Sequence, residues 1–211
     1  MHLLPLSKSK LVSALVAGAA LTAAAPSAMA VVIQYSGPPI AIPNNIDGLY
    51  LNVVTGSTAV GGAGWDFNAY NNNAGMTFFS RSADTASAYV GAANAATALP
   101  LGAVIGPASS FTTNNPLGGG VSGLAFQTTG DRIVGFRFTA ESTNTVHYGY
   151  ALLRSGPDLG FPAQLLTYAF ESTPNTAITA VPEPGTYAML LAGLGVVGTM
   201  VARRKAAARA S

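Results

Sequence analysis

Hydrophobic and polar residues alternate with a period of two over three stretches in the second half of the chain. Val134, Phe136 and Phe138 alternate with small or polar residues, and residues 146–152 and 166–170 repeat the pattern. A period of two is that of a strand with one face toward a core. These stretches predict β-strands at residues 132–140, 145–153 and 164–171.

Shorter apolar runs, separated by clusters of Gly, Pro and Asn, fill the rest of the chain between residues 31 and 180. None of them has a convincing helical period of 3.6, although the alanine-rich residues 82–99 offer a helix as the alternative. Short strands with turn residues every 8 to 12 positions are typical of an antiparallel β-sandwich, so the chain is predicted to be mainly β. The further predicted strands are 32–35, 49–54, 64–70, 76–80, 88–90, 101–105 and 123–127.

The alternation also predicts a register for one hairpin. A five-residue loop, residues 141–145, would place Phe138 opposite Tyr148 and Phe136 opposite Tyr150, with the aromatic side chains on one face. A loop one residue shorter would put Phe138 opposite His147, because a one-residue slip moves every side chain to the other face. Favourable cross-strand aromatic pairs favour the five-residue loop.

The first 30 residues have the features of a secretory signal peptide. Lys8 and Lys10 precede an apolar run over residues 11–25, and Ala28-Met29-Ala30 supplies a small-residue cleavage site. The run is shorter than a membrane-spanning helix usually requires. Signal peptidase is therefore expected to cut after Ala30, so that the mature chain begins at Val31.

A second apolar run, residues 186–202, is followed at once by Arg203-Arg204-Lys205. A helix of this length spans roughly 26 Å, just short of the hydrocarbon core of about 30 Å. The basic cluster would stay in the cytoplasm, leaving residues 31–185 outside. We therefore predict a transmembrane helix at 186–202 and a basic cytoplasmic tail at 203–211.

Val181-Pro182-Glu183-Pro184 stands immediately before this helix. Two prolines hold the backbone extended and remove hydrogen-bond donors, which keeps residues 181–185 accessible to a processing enzyme. The order Pro182-Glu183-Pro184, apolar helix and basic cluster resembles the PEP-CTERM sorting signal of bacterial exported proteins. The resemblance implies recognition by an exosortase in the inner membrane, processing near Pro-Glu-Pro, and release toward the cell exterior.

A longer stretch, about residues 132–205, resembles a recurring group of PEP-CTERM proteins, including the region that precedes the tail in that group. A G-F-x-F strand, an H-Y-G-W strand and a Y-A-Y/F-E strand follow one another in that group, and Tyr150 stands here in place of the usual Trp. The group has no established activity, so the resemblance implies where the protein is sent and does not imply an enzymatic activity.

Composition and charge narrow the function classes further. The 211 residues include no Cys, and only 9% are charged. The absence of Cys excludes disulfides, zinc ribbons and a thiol nucleophile. Residues 31–180 carry seven acids, four arginines and no lysine, a net charge of −3. Such a body lacks the basic stripe that binding to nucleic-acid phosphates requires.

Catalytic candidates are few, because His147 is the single histidine of the mature chain. No G-x-S-x-G motif accompanies it, and one histidine cannot supply a hydrolytic zinc site. We expect His147 to be a hydrogen-bonded sheet residue. A glycosidase needs only two carboxylates, but no acidic pair is marked by its surroundings. The chain is accordingly predicted not to be an enzyme, with no catalytic residue, metal or cofactor.

Two loop motifs have ordinary explanations. Residues 118–123 match G-x-G-x-x-G but lack the preceding strand and following helix of a dinucleotide site, so they are predicted to form a flexible loop. The Asn- and Asp-rich residues 44–48, 66–68 and 71–73 offer oxygen ligands that calcium accepts, in sequences that are also typical of turns. Calcium binding stays open at this point.

The sequence thus predicts an exported structural protein of the cell surface or extracellular matrix, with exopolysaccharide as a candidate partner and the membrane as a transient location. The alternative is a carbohydrate-binding module that uses Trp65, Tyr70 and exposed aromatic rings as stacking platforms. Aromatic residues are more often part of a core, and Trp65 is expected there.

Overall fold

The structure is a computed structural model that describes residues 31–58, 60, 64–80, 87–114, 119–181 and 194. Those residues form fifteen strands and one short 3-10 helix, Leu124–Phe126. The strands are β1 Val32–Gln34, β2 Ile40–Ile42, β3 Leu49–Leu51, β4 Phe67–Asn71, β5 Met76–Phe78, β6 Ala88–Ala92, β7 Ala95–Ala96, β8 Ala98–Leu99, β9 Val104–Ile105, β10 Phe111–Thr112, β11 Val121–Ser122, β12 Gly130–Ala140, β13 Thr145–Gly156, β14 Gly160–Glu171 and β15 Ile178–Thr179.

Thirteen of the strands join into one curled sheet, whose principal path runs β1-β14-β13-β12-β6-β7-β11-β5-β4-β3. β15 and β9 form a separate two-stranded sheet. The mainly β prediction is confirmed, whereas a sandwich of two separate sheets is not, because hydrogen bonding links the strands continuously. Residues 87–99 form strands instead of the alternative helix. The strand predicted at 123–127 is wrong, since the 3-10 helix occupies its centre.

The centre of the sheet is the antiparallel trio β12, β13 and β14, each 11 or 12 residues long. The main core lies on one of its faces and contains Val134, Phe136, Phe138 and Phe170. A second buried cluster covers the other face, where Tyr148 and Tyr150 pack with residues of β9 and β15. Both faces of this trio are therefore largely buried.

The hairpin register predicted from the sequence is wrong. Ala140 pairs with Thr145 across a four-residue loop, Phe138 lies opposite His147, and Phe136 lies opposite Gly149. Asn144, in the left-handed region at φ 51°, closes the loop with an N–H donated to the Ala140 oxygen at 2.8 Å. Left-handed backbone is more accessible to Asn than to most residues, which makes the tight turn possible.

The prediction failed because it assumed a single apolar face. Tyr148 and Tyr150 belong to the second cluster, so they do not need to share a face with Phe136 and Phe138. Gly149 instead leaves room for the Phe136 ring. A one-residue slip of β13 would turn Tyr148 and Tyr150 onto the face of Phe136 and Phe138 and remove Gly149 from beneath the Phe136 ring.

The predicted targeting segments lie almost entirely outside the described residues. This holds for the signal peptide at 1–30, for Pro182, Glu183 and Pro184, and for the basic residues Arg203, Arg204 and Lys205. Within the described part of the chain, no helix has the length and apolar character to span a membrane. The predicted helix at 186–202 lies outside that part, apart from Leu194.

Candidate functional site: the tail junction and the strand ends around it

Backbone pairing of the folded body continues to Ala180, two residues before Pro182. Ile178 pairs with Ile105, and Thr179 pairs with Val104. Beyond this short ladder, Ala180 donates its N–H to the Ala103 oxygen at 2.8 Å and accepts from the Gly102 N–H at 2.7 Å. Ala180 is fully buried. The backbone is therefore held in place through residue 180.

Tyr150 connects the body to Val181, the residue just before the Pro-Glu-Pro tripeptide. Its hydroxyl donates to the Val181 oxygen at 2.9 Å, and its ring is buried in the second cluster. The side chain thus connects the middle of β13 to the residue just before Pro182. We call this contact between Tyr150 and Val181 the tail junction.

An apolar groove of about 590 Å³ lies beside the tail junction, lined by Leu99, Leu101, Leu152, Leu166 and Val181. Asp131, which also lines the groove, forms two hydrogen bonds of 2.8 Å with Arg154 across β12 and β13. These hydrogen bonds, together with the charge of the guanidinium, lower the pKa of Asp131. Both side chains are well exposed, which limits the stabilisation that the ion pair provides.

Residues 180–205 match the family described as the PEP-CTERM protein-sorting motif. The chain carries a PEP-CTERM sorting motif. The motif is that of an exosortase substrate, which implies export through a membrane-anchored intermediate with exosortase as the processing partner. Comparison with curated proteins and with solved structures finds no match.

The PEP-CTERM match begins inside the folded body. Its first two residues, Ala180 and Val181, are those held by the Ala103 oxygen and by the Tyr150 hydroxyl. Pro182, Glu183, Pro184 and the basic cluster fall within the matched range but outside the described residues. The PEP-CTERM segment therefore begins within the fixed backbone, and its Pro-Glu-Pro tripeptide comes directly after Val181 in the sequence.

The residue at which the mature chain is predicted to begin lies beside an edge of the thirteen-stranded sheet. β1 pairs with the end of β14, and Val32 lies opposite Glu171. Of the three predicted signal-peptide cleavage residues, Ala28 and Ala30 are outside the described residues, whereas Val31 is placed. Its backbone N–H donates to Glu171 Oε1 at 3.0 Å, and its oxygen accepts from the Ser172 N–H at 3.0 Å.

His147 is a buried, hydrogen-bonded strand residue, as the sequence predicts. Its Nδ1 lies 2.8 Å from the Glu171 backbone oxygen, which can only accept, so Nδ1 carries the proton. In the neutral ring Nε2, which lies 2.9 Å from Thr145 Oγ1, accepts a hydrogen bond from that hydroxyl. The ring stacks on Phe138 with centroids 5.5 Å apart. Both nitrogens are thus engaged within the hairpin and the adjacent strand end.

Of the three candidate calcium segments, 44–48 and 71–73 are organised as turns, whereas 66–68 leads into β4. Asn45 Oδ1 accepts from the Gly48 N–H at 2.8 Å, and Asn71 Oδ1 accepts from Asn73 and Gly75 at 2.9 and 3.2 Å. Asp66 Oδ2 accepts from the Val53 N–H at 2.9 Å. Over the described ranges, no three His, Cys, Asp or Glu residues form a metal-binding group. The glycine run likewise enters a strand, β11, instead of a helix.

Trp65 is half-buried in an aromatic cluster at the surface, and not in the main core as expected. Tyr50 meets it edge-to-face at 5.3 Å between centroids, and Phe79 lies 6.0 Å away. Tyr70 joins Phe79 at 6.4 Å, and Phe79 is 38% exposed. Tyr50, Trp65, Tyr70 and Phe79 form what we call the aromatic patch.

Two of the contacts at the chain ends have no local signature in the sequence. Tyr150 and Glu171 occupy ordinary positions in alternating strands, and their partners Val181 and Val31 are remote in sequence. A polar group at the end of an apolar strand, such as the carboxylate of Glu171, is the one signal that sequence reasoning could have used. Its partner depends on which strand the sheet places beside β14.

Proposed function

We propose that this chain is an exported, exosortase-processed structural protein of the cell surface or extracellular matrix, without catalytic activity. The tail junction carries the proposal, because the body holds Val181 by Tyr150 immediately before the PEP-CTERM tripeptide. A rigid body joined so closely to the tail would remain at the membrane surface until the tail is processed. Processing would then release it as a folded unit.

The surroundings of His147 support the non-catalytic part of the proposal. A general base needs a nitrogen that can reach substrate, whereas this ring is 6% exposed and both nitrogens already have protein partners. The mildly acidic, lysine-free body suits an extracellular component that does not bind nucleic acid. The proposed partners are signal peptidase, exosortase and host exopolysaccharide.

The experiment follows the chain through its own host by mass spectrometry of membrane and surface fractions. The expected surface form begins at Val31 and lacks Arg203 to Ser211. A variant in which Pro182, Glu183 and Pro184 are all replaced by Ala should remain in the membrane fraction with an intact tail. Pro157→Ala, which changes an exposed proline in a turn of the body, is the matched control and should be processed normally.

Surface material that retains residues 203–211 would contradict the proposal. So would normal release of the triple-alanine variant, because processing would then be independent of the motif. The matrix role is tested separately by cosedimentation of the released protein with exopolysaccharide from the host. A protein that never associates with this material would leave only the sorting part of the proposal standing.

The aromatic patch favours carbohydrate binding as a second candidate function. Half-buried Tyr50 and Trp65 together with exposed Phe79 offer apolar ring surface beside a small cavity of about 160 Å³. Rings held by edge-to-face contacts are preorganised for a flat apolar ligand, such as the face of a sugar ring. The structural proposal does not require this binding.

Trp65→Ala and Phe79→Ala test the patch by isothermal titration with oligosaccharides from the host polymer. Binding should weaken by about tenfold or more, the equivalent of roughly 1.4 kcal/mol. Phe111→Ala is the control, because Phe111 is a half-buried ring that packs on Tyr148 at 5.9 Å and belongs to a different cluster. Unchanged affinity in both patch variants would exclude the patch as the binding surface.

A further inference from the structure

Glu171 is a buried carboxylate whose two oxygens differ in their surroundings. The residue is 1% exposed. Oε1 accepts the N–H groups of Val31 and Thr173, at 3.0 and 2.8 Å, whereas Oε2 has no hydrogen-bond partner among the described residues. No lysine, arginine or histidine side chain forms a salt bridge with it in that part of the chain. A buried charge without a cation is costly, so this arrangement calls for a positive partner.

The nitrogen beside this carboxylate is held in position by the sheet. Val32 is paired with Glu171 in the β1–β14 ladder, and the Val31 oxygen accepts from Ser172 at 3.0 Å. Val31 is therefore fixed on both its amide and its carbonyl side. It is also the residue at which the mature chain is predicted to begin.

We propose that the Glu171 carboxylate is the ion-pair partner of the α-ammonium group that signal-peptide cleavage creates on Val31. The inference rests on the proposed removal of residues 1–30 and goes beyond it. It assigns a partner to the new N-terminus and couples maturation of the chain to the stability of its fold.

The chemistry is that of peptide-bond hydrolysis. Water attacks the Ala30 carbonyl and the Ala30–Val31 bond breaks; the hydroxyl stays on Ala30 and a hydrogen goes to the Val31 nitrogen. At neutral pH the released carboxylic acid loses its proton and the new amine gains one. An α-amino group ordinarily has a pKa of about 7.7–8.0, so most of it is charged at pH 7 even before any partner stabilises it.

Cleavage therefore changes what the Val31 nitrogen can offer. As an amide it supplies one N–H, which already points to Oε1. As an ammonium it supplies three N–H groups and a full positive charge, enough to satisfy Oε2 as well. Val31 is 55% exposed, so its ammonium stays partly hydrated and the desolvation cost falls mainly on a carboxylate that is buried already.

The chain is well suited to a test by amine chemistry. Between residues 31 and 180 it has no lysine, and Lys205 is the single lysine left after residues 1–30 are removed. Acetylation neutralises the Val31 amine, whereas reductive dimethylation keeps its positive charge and one N–H. Comparison of the two modifications therefore separates the effect of losing the positive charge from the effect of modifying the N-terminus at all.

The mature chain, residues 31–211, is purified in detergent with Glu171 or with Glu171→Gln, and each protein is studied unmodified, dimethylated and acetylated. The Gln side chain keeps an oxygen for the Val31 and Thr173 N–H groups but removes the negative charge. With Glu171, acetylation should lower the Tm by about 5 °C or more, and dimethylation should lower it much less. In the Glu171→Gln variant, acetylation should change the Tm by less than about 2 °C.

An equal loss of Tm on acetylation in both backgrounds would overturn the proposal, as would no loss in either. If Glu171→Gln does not fold, the rate of acetylation of Val31 decides instead. An ion-paired ammonium should react about tenfold more slowly than the N-terminus of a chain that starts at Ala28, and an equal rate would refute the pairing.

N-terminal sequencing of the exported protein tests cleavage at Val31 independently. If the exported protein has a different N-terminus but acetylation acts on the 31–211 chain as expected, the pairing with Glu171 stands and the proposed cleavage site is contradicted. If the exported protein begins at Val31 but acetylation lacks the expected effect, the cleavage site stands and the pairing with Glu171 is contradicted.

Discussion

The ring of Phe136 lies across Gly149, so that a Cβ added to Gly149 would stand 2.6 Å from Phe136 Cζ. The Ala169 backbone oxygen would stand 2.7 Å from the same Cβ. Real Cβ atoms do not approach this closely, and a backbone oxygen in the middle of a ladder cannot move away freely. This contact helps to fix the register of the hairpin.

Gly149→Ala is therefore expected to destabilise the protein by about 1–3 kcal/mol through overpacking between β12 and β14. Urea unfolding of the mature chain in detergent measures the change. In the double variant Gly149→Ala/Phe136→Leu, the smaller side chain at position 136 should relieve only part of the overpacking. The Ala169 backbone oxygen still lies against the added Cβ. A Gly149→Ala variant with the wild-type midpoint would mean that the strands adjust at no cost.

Loss of the Tyr150 hydroxyl should loosen the tail junction while leaving the core intact. Tyr150→Phe removes the hydrogen bond to Val181, worth about 0.5–1.5 kcal/mol, and keeps the ring. Local opening at Ala180 and Val181 should then be several-fold more frequent, and limited proteolysis at the Val181–Pro182 boundary correspondingly faster.

The comparison variant is Tyr35→Phe, which loses a hydroxyl bond of 2.9 Å to the Pro38 oxygen away from the tail. Its cleavage rate near Pro182 should equal that of wild type. Equal rates for Tyr150→Phe and wild type would show that β15 alone holds the tail.

Replacement of His147 should affect stability and not chemistry. His147→Ala removes a ring that packs on Phe138 and Phe170. It also leaves the backbone oxygen of Glu171 without the N–H that His147 donates to it. We expect a loss of about 2–4 kcal/mol. His147→Gln keeps a donor and an acceptor and should lose less, with surface retention unchanged. A hydrolytic activity that His147→Gln abolishes at unchanged Tm would instead make His147 a catalytic residue.

The ion pair between Asp131 and Arg154 predicts a pH-dependent contribution to stability. Hydrogen bonds from Arg154 lower the pKa of Asp131 in the folded state. The contribution is therefore present above the pKa of the unfolded chain and is lost as the pH falls through the folded value. Wild type and Asp131→Asn should differ slightly in Tm at pH 7 and converge in acid.

Salt provides the check on this interpretation. Because both side chains are exposed, added NaCl at about 1 M should reduce the difference at pH 7. A difference that persists in acid and in salt would have to come from the amide substitution and not from the ion pair.

The C-terminal sorting motif was readable from the sequence because each of its parts depends on contiguous residues. The Pro-Glu-Pro element, the apolar run and the basic cluster are local, and the PEP-CTERM match at residues 180–205 confirms them as a sorting motif. The three long strands were also readable, since a period of two records only whether successive side chains meet a core or solvent. The buried, hydrogen-bonded state of His147 followed from its place in such a strand.

Tertiary structure alone decided which strands lie side by side and which faces are covered. The second cluster buries the face of Tyr148 and Tyr150, and no local pattern shows that a sheet has cover on both sides. The same holds for contacts between remote residues: Val31 reaches Glu171 across 140 positions, and Tyr150 reaches Val181 across 31. Alternation specifies the face of a residue within its own strand, whereas register and remote contacts depend on the shape that all the strands make together.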